Sequence, residues 1–183
     1  MHSGYAEWNP GGISHLDEVF ADGKVYLRAS AGPGKDSWAS LPRDGAVAHA
    51  ALRAPLNDPE HVLEQVAALT DVTKGNEEDL DGVKAVHYYG LLPYEALTSR
   101  LAPDVAITLD TLRMQLGGEV PVAAEVWVDG QGRVVRTRTA LSIGRARSVT
   151  TVAFGELGKP VRIEVPPAGE TVPGRSVSGV LAG

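Results

Sequence analysis

Val120-Pro121-Val122-Ala123-Ala124-Glu125-Val126-Trp127-Val128-Asp129-Gly130-Gln131-Gly132-Arg133-Val134-Val135-Arg136-Thr137-Arg138-Thr139-Ala140-Leu141 is the stretch from which the rest of the chain is read. Valine recurs at 120, 122, 126 and 128, with Ala124 between, while Glu125 and Asp129 fall on the opposite parity. Side chains in a strand alternate between two faces, so this pattern predicts a strand with one buried face. Asp129-Gly130-Gln131-Gly132 supplies turn residues that accept positive φ. The return strand places Val135, Thr137, Thr139 and Leu141 on one face, with Arg136 and Arg138 on the other. Two strands alone are marginal in water, so this hairpin implies a larger antiparallel sheet.

Composition narrows the classes. A chain of 183 residues buries roughly 70% of its unfolded surface and needs neither a disulfide nor a metal to hold together. There is no cysteine, which removes thiol chemistry and cysteine-ligated metals. A net charge of −6 with no basic stripe argues against nucleic-acid binding. The first thirty residues lack a basic start followed by an apolar core, so no signal peptide is expected. No apolar run has the length to span a bilayer.

Working outward, Ala21-Asp22-Gly23-Lys24 reads as the turn of a second hairpin, with Ile13 to Phe20 before it and Val25 to Ala29 after it. Gly4 to Trp8 suggests another strand, and Asp44 to Ala54 is ambiguous. Asp58-Pro59-Glu60 is a helix start: Asp58 caps, Pro59 suits the first helical position and Glu60 favours the positive end of the dipole. Val62, Val66 and Leu69 form its apolar stripe. Thr70 to Asn76 reads as a short strand, Glu77 to Gly82 as an acidic turn, and Val83 to Leu91 as the next strand. Pro93 opens a short helix carrying Leu97 and Leu101. Pro103-Asp104 opens another, with Val105, Leu109, Leu112 and Leu116 at helical spacing and Gly117-Gly118 as its stop. After the central hairpin come strands over Ser148 to Phe154 and Val161 to Val165. Residues 1–167 read as a single domain and 168–183 as a flexible tail. The sum is α+β: an antiparallel meander with helices gathered on one face.

The candidate chemistry is thin. Gly32-Pro33-Gly34-Lys35-Asp36-Ser37 lacks the first glycine of a phosphate loop and has Asp36 where magnesium needs a hydroxyl. Glu77, Glu78, Asp79 and Asp81 are too closely spaced for a calcium loop and suit a solvated turn. His2, His15, His49, His61 and His87 match no zinc pattern and read as surface or edge residues. Ser176 and Ser178 do not match a nucleophile elbow, and Glu125 has no evident carboxylate partner. Catalytic residues, metal ligands and cofactors are therefore all expected to be none. What remains is apolar: Val62, Val66, Leu69, Leu97, Leu101, Leu109 and Leu112 from the helices, and Val122, Ala124, Val126 and Val128 from the sheet. These residues either pack as a plain core or leave a cavity that accepts acyl chains at roughly 0.8 kcal/mol per methylene buried. Composition does not choose between the two.

The order of segments resembles a family. Asp22-Gly23-Lys24-Val25-Tyr26, Trp38, the Asp58-Pro59 helix, Leu80-Asp81-Gly82-Val83, the strand from Val120 to Asp129, and Ser148 to Val161 follow one another as in the LppX/LprAFG family of actinobacterial envelope lipoproteins. The resemblance covers roughly residues 4 to 167 and is strongest over Val120 to Pro167. It implies a LolA-like half-barrel, a curved antiparallel sheet with helices on its concave face, and a hydrophobic cavity for lipid or lipid-linked molecules. It also implies a place outside the cytoplasmic membrane, held to the membrane surface by a lipidated cysteine that this chain lacks. The family's first helix and first strands are missing too, and an unpaired front edge invites a homodimer. The function expected is non-enzymatic lipid binding or transport in the cell envelope. The alternative is an envelope interaction or sensor domain without a ligand cavity.

Overall fold

The computed structural model describes residues 15–30, 37–48, 57–118, 120, 122–143 and 146–174. The chain divides into two compact units, Met1–His49 with Pro160–Gly183, and Ala50–Lys159, over a stretch expected to be one domain. The fold is α+β, with one antiparallel sheet and one mostly antiparallel sheet.

In the first unit, β1 (His15–Ala21) and β2 (Lys24–Ser30) form the expected hairpin, and β3 (Trp38–Pro42) pairs antiparallel to β2. Asp22 and Gly23 both take positive φ, which brings the two strands round in a two-residue turn that follows their twist. Arg28 lies across β1 and β3: its guanidinium holds Asp17 at 2.6 Å and covers the Trp38 ring at 4.5 Å. Two expectations are corrected near the chain's end. Residues 161–165 are not a strand: despite their alternation, Val161, Ile163 and Val165 are exposed and have no ladder partner. Alternation describes which faces side chains take, and without a neighbouring edge it cannot pair. Residues 168–173, expected within a tail, instead form a 3-10 turn and β9 (Thr171–Pro173), which pairs parallel to β3.

The second unit carries the central hairpin. Its sheet runs β4 (Thr70–Leu80), β5 (Val83–Leu91), β6 (Val122–Asp129), β7 (Val134–Ile143) and β8 (Ala146–Ala153), every pair antiparallel. β4 is longer than expected. Glu77, Glu78 and Asp79 belong to the strand opposite Val86, Ala85 and Lys84, and the turn is only Asp81-Gly82. Val122, Ala124 and Val126 are buried as the alternation required, and Val128 is partly so. In β7 the pairing steps from Trp127↔Arg136 to Val128↔Val134, which leaves Val135 as an extra residue. Such a bulge turns its residue out of alternation. Val135 therefore packs with Ala85 and Trp127, not on the Thr137–Leu141 face expected for it.

Three helices complete this unit: α1 (Pro59–Ala67), α2 (Tyr94–Thr98) and α3 (Pro103–Gln115). Asp58 caps α1 by accepting the Glu60 N–H at 3.0 Å, as the sequence required. Leu97, Leu101 and Leu109 are buried, while Val105 and Leu112 are half-buried and Leu116 is exposed. Gly117 and Gly118 both take positive φ, and the Gly118 N–H closes the helix end onto Arg113. Tyr94 fastens α2 to α3 through Asp110 at 2.5 Å, under the Arg113 guanidinium. Burial and that carboxylate push its phenol up to about 12. The 32–36 loop, Ser176, Ser178, His2, His49, and the segments 4–8 and 49–54 lie outside the described residues.

Candidate functional site

The valine face of the five-stranded sheet meets α1 along a narrow seam. Val62, Gln65, Val66 and Leu69 approach from the helix side, Leu92 from the end of β5, and Ala124, Val126, Thr137 and Thr139 from the sheet. Between them is a hollow of about 20 Å3, room for a single water. Five of the residues expected to line a pocket meet here: Val62, Val66, Leu69, Ala124 and Val126. Leu97, Leu101, Leu109 and Val122 are buried elsewhere in the unit, and Leu112 and Val128 are half-buried.

The face of α1 turned inward also carries polar groups that the apolar stripe did not reveal. Asp58, His61 and Gln65 are buried with Val62. Asp58 lies 3.6 Å from an Arg100 guanidinium nitrogen, and Gln65 donates to the Ala96 carbonyl of α2 at 3.3 Å. His61 is 2% exposed, not a surface residue. Its burial holds the imidazole below its ordinary 6.5, opposed by the Glu64 carboxylate 3.3 Å from Nδ1 and aided by Arg100.

A group whose folded pKa lies below its unfolded one is protonated first in the unfolded chain as pH falls. The stability tied to a neutral His61 is therefore complete above its unfolded pKa and declines below it. We expect the urea midpoint to fall between about pH 7.5 and about pH 5.5, and His61→Gln to remove part of that fall. An unchanged slope in the variant would refute the assignment.

The opposite face of the same strands holds a polar cluster. His87, 4% exposed, stacks on Trp127 at 4.1 Å and leans on Tyr89 at 4.0 Å. Glu78 of β4 bridges the pair: one oxygen lies 2.8 Å from His87 Nδ1, and the other accepts the Trp127 indole N–H at 2.9 Å. On the far side, Glu125 Oε2 stands 3.1 Å from His87 Nε2 without hydrogen-bond alignment, and Oε1 accepts from Arg138 at 2.7 Å. Gly75 makes room for this stack, because a Cβ there would sit 2.7 Å from the Tyr89 ring. The indole donor, followed by His87, holds Glu78 below the usual carboxylate range. Glu125 thus shares a histidine with a second carboxylate 47 residues away in sequence, a pairing no local spacing could announce. The cluster clasps β4, β5 and β6 together.

Beside the cluster, where two hairpin turns and the segment after β8 converge, lies a cleft of about 420 Å3. Leu80, Val83, Val135, Phe154 and Leu157 supply its apolar lining, and Arg133, Arg136 and Lys159 supply its cations. Asp129 fixes one wall. It accepts the backbone N–H groups of Gln131 and Arg133, and the Arg133 guanidinium at 2.7 Å. These donors, the Arg133 backbone first, keep its carboxyl below the usual range. Among the described residues, no group of histidines and carboxylates is placed to hold a metal ion, and no helix is long and apolar enough to cross a membrane.

No protein-family model matches the chain. It is 28% identical over 116 residues to an uncharacterized 31.2 kDa protein of the rplA–rplJ intergenic region of Streptomyces griseus. The match covers 62% of this chain, and the chain spans only 38% of that relative's length. Among solved structures, the chain is similar to the Mycobacterium tuberculosis lipoprotein LppX, with 13% identity and a TM-score of 0.38 over 81% of this chain and 66% of that one.

Proposed function

We propose that this protein binds a lipid-class apolar ligand reversibly, without chemistry, in the seam between α1 and the valine face, as a carrier or sensor in the cell envelope outside the cytoplasmic membrane. The observation that supports this reading is the apolar lining shared by Val62, Val66, Leu69, Ala124 and Val126 around a small hollow. In its closed form the seam is far too small for a hydrocarbon tail, so binding requires α1 to lift. The helix has nine residues, and its Asp58 end is the fixed one, while Val66 and Leu69 are only half-buried. Lifting from that second end exposes the sheet face. About ten methylenes entering would contribute roughly 8 kcal/mol towards the opening.

The closed seam favours a second reading, an interaction or sensor domain that uses the same sheet without a ligand. Native mass spectrometry of protein exposed to mixed lipids separates the two. The carrier reading expects a bound lipid mass, and Ala124→Leu, which fills the hollow, is expected to cut uptake at least about tenfold while the fold persists. Protein that stays at its bare chain mass under all lipid conditions would establish the second reading.

A further inference from the structure

We infer a second binding site in the 420 Å3 cleft, on the sheet face opposite the seam, for a small monoanion with a short alkyl chain, an alkyl carboxylate. The cleft has the size of ordinary small-molecule pockets, which run from about 300 to about 1,000 Å3. Its residues divide into a dry half and a charged half. Leu80 and Leu157 continue the buried Ala85–Trp127–Val135 cluster out into the cleft, and Phe154 and Val83 widen that apolar floor.

The charged half contains three cations and three acids, and their pairings are unequal. Arg133 is committed, because Asp129 holds two of its nitrogens and the Leu157 carbonyl accepts from the third at 3.2 Å. Gly158 permits that reach, since a Cβ there would stand 3.0 Å from the guanidinium. Lys159 pairs at 2.6 Å with Glu156 in solvent.

Arg136, whose guanidinium also lies 5.9 Å from the Trp127 ring, is the cation whose acid is displaced most easily. Its acid is Asp81, 3.6 Å away at the tip of the β4–β5 turn, with a side chain 97% exposed. An exposed pair at that distance contributes little, and Asp81 swings into water without losing solvation. A carboxylate entering the cleft then takes the guanidinium in a two-pronged bond while its chain lies on Leu80 and Leu157. A single negative charge replaces that of Asp81 and keeps the balance. A dianion would add charge beside Glu156 and Asp129, so the site selects a carboxylate over a phosphate.

The test titrates the full chain with octanoate, octanol and inorganic phosphate, followed by backbone amide shifts in NMR. Octanoate is expected to move the amides of Arg136, Gly155 and Leu157. Octanol and phosphate, each lacking one half of the recognised group, are expected to bind at least about tenfold more weakly. Arg136→Met should weaken octanoate at least about tenfold, and Arg136→Lys should recover part of the loss. Arg136 is half-buried, and unchanged amide positions around Ala124 and Val126 would verify that each variant is folded. Equal binding of octanol, equal binding of phosphate, or undiminished binding by Arg136→Met overturns the inference. Octanoate shifts confined to the seam would overturn it too and leave the seam reading standing. Shifts at the cleft with an inert seam would do the reverse.

Discussion

Trp127→Ala is expected to lower the stability of the protein by about 3–5 kcal/mol in urea denaturation. Trp127 is 6% exposed and packs with Ala85 and Val135 while stacking on His87. Its indole N–H is also one of the two donors on Glu78. Deleting it opens a cavity between strands and strips a charged oxygen of its partner, two penalties that reinforce one another. Trp127→Phe keeps a ring over His87 and loses only the donor, so the loss should be smaller. The same variant should raise the Glu78 pKa. Glu78 titrates below its unfolded value, so the stability it contributes is present at neutral pH and lost as pH falls through the folded pKa. In Trp127→Phe that loss should be smaller and should be complete at higher pH. A Phe variant as destabilised as the Ala variant would mean that the hydrogen bond, not the packing, holds the clasp.

Leu97→Ala is expected to cost about 3 kcal/mol. Leu97 is 1% exposed and belongs to a helix of five residues, far below the length that is stable alone in water. α2 therefore exists because its buried side chain anchors it. Losing that anchor also endangers the Ala96 carbonyl that Gln65 of α1 uses. Hydrogen exchange should show α2 opening first and the amides of α1 losing protection with it. A cost below about 1 kcal/mol would mean that α2 lies outside the cooperative unit.

Local signals carried the elements that local chemistry determines. Asp58-Pro59 announced α1 because a cap and a missing N–H act within one turn. Asp22-Gly23 and Asp129-Gly130-Gln131-Gly132 announced their hairpins because a turn's φ values depend on its own residues, and Asp22, Gly23 and Gly132 take positive φ. Alternation found the buried valine face of β6 and with it Ala124 and Val126 of the seam, and helical spacing found Val62, Val66 and Leu69. What escaped reading depends on partners distant in sequence. His87 read as an edge residue because Glu78, Trp127 and Glu125 reach it from the two strands on either side, β4 and β6. The acidic run from Glu77 to Asp79 looked like a turn, but a facing β5 turned it into ladder. The alternating 161–165 segment looked like a strand and has no edge to join. Val135 changed face because a bulge in β7 is a property of the pair, not of either strand. The cleft was invisible for the same reason, since its lining comes from two turns and the segment after β8.

The parallel pairing of β9 with β3 sets the order in which the chain can be completed as it leaves the ribosome. Everything in the five-stranded unit lies between Ala50 and Lys159, so it can close while later residues are still being made. The other sheet must hold its first three strands in waiting until Thr171–Pro173 arrives, some 130 positions after Trp38. Nascent chains arrested shortly before that point should resist protease across the inserted unit and remain cleavable at its host.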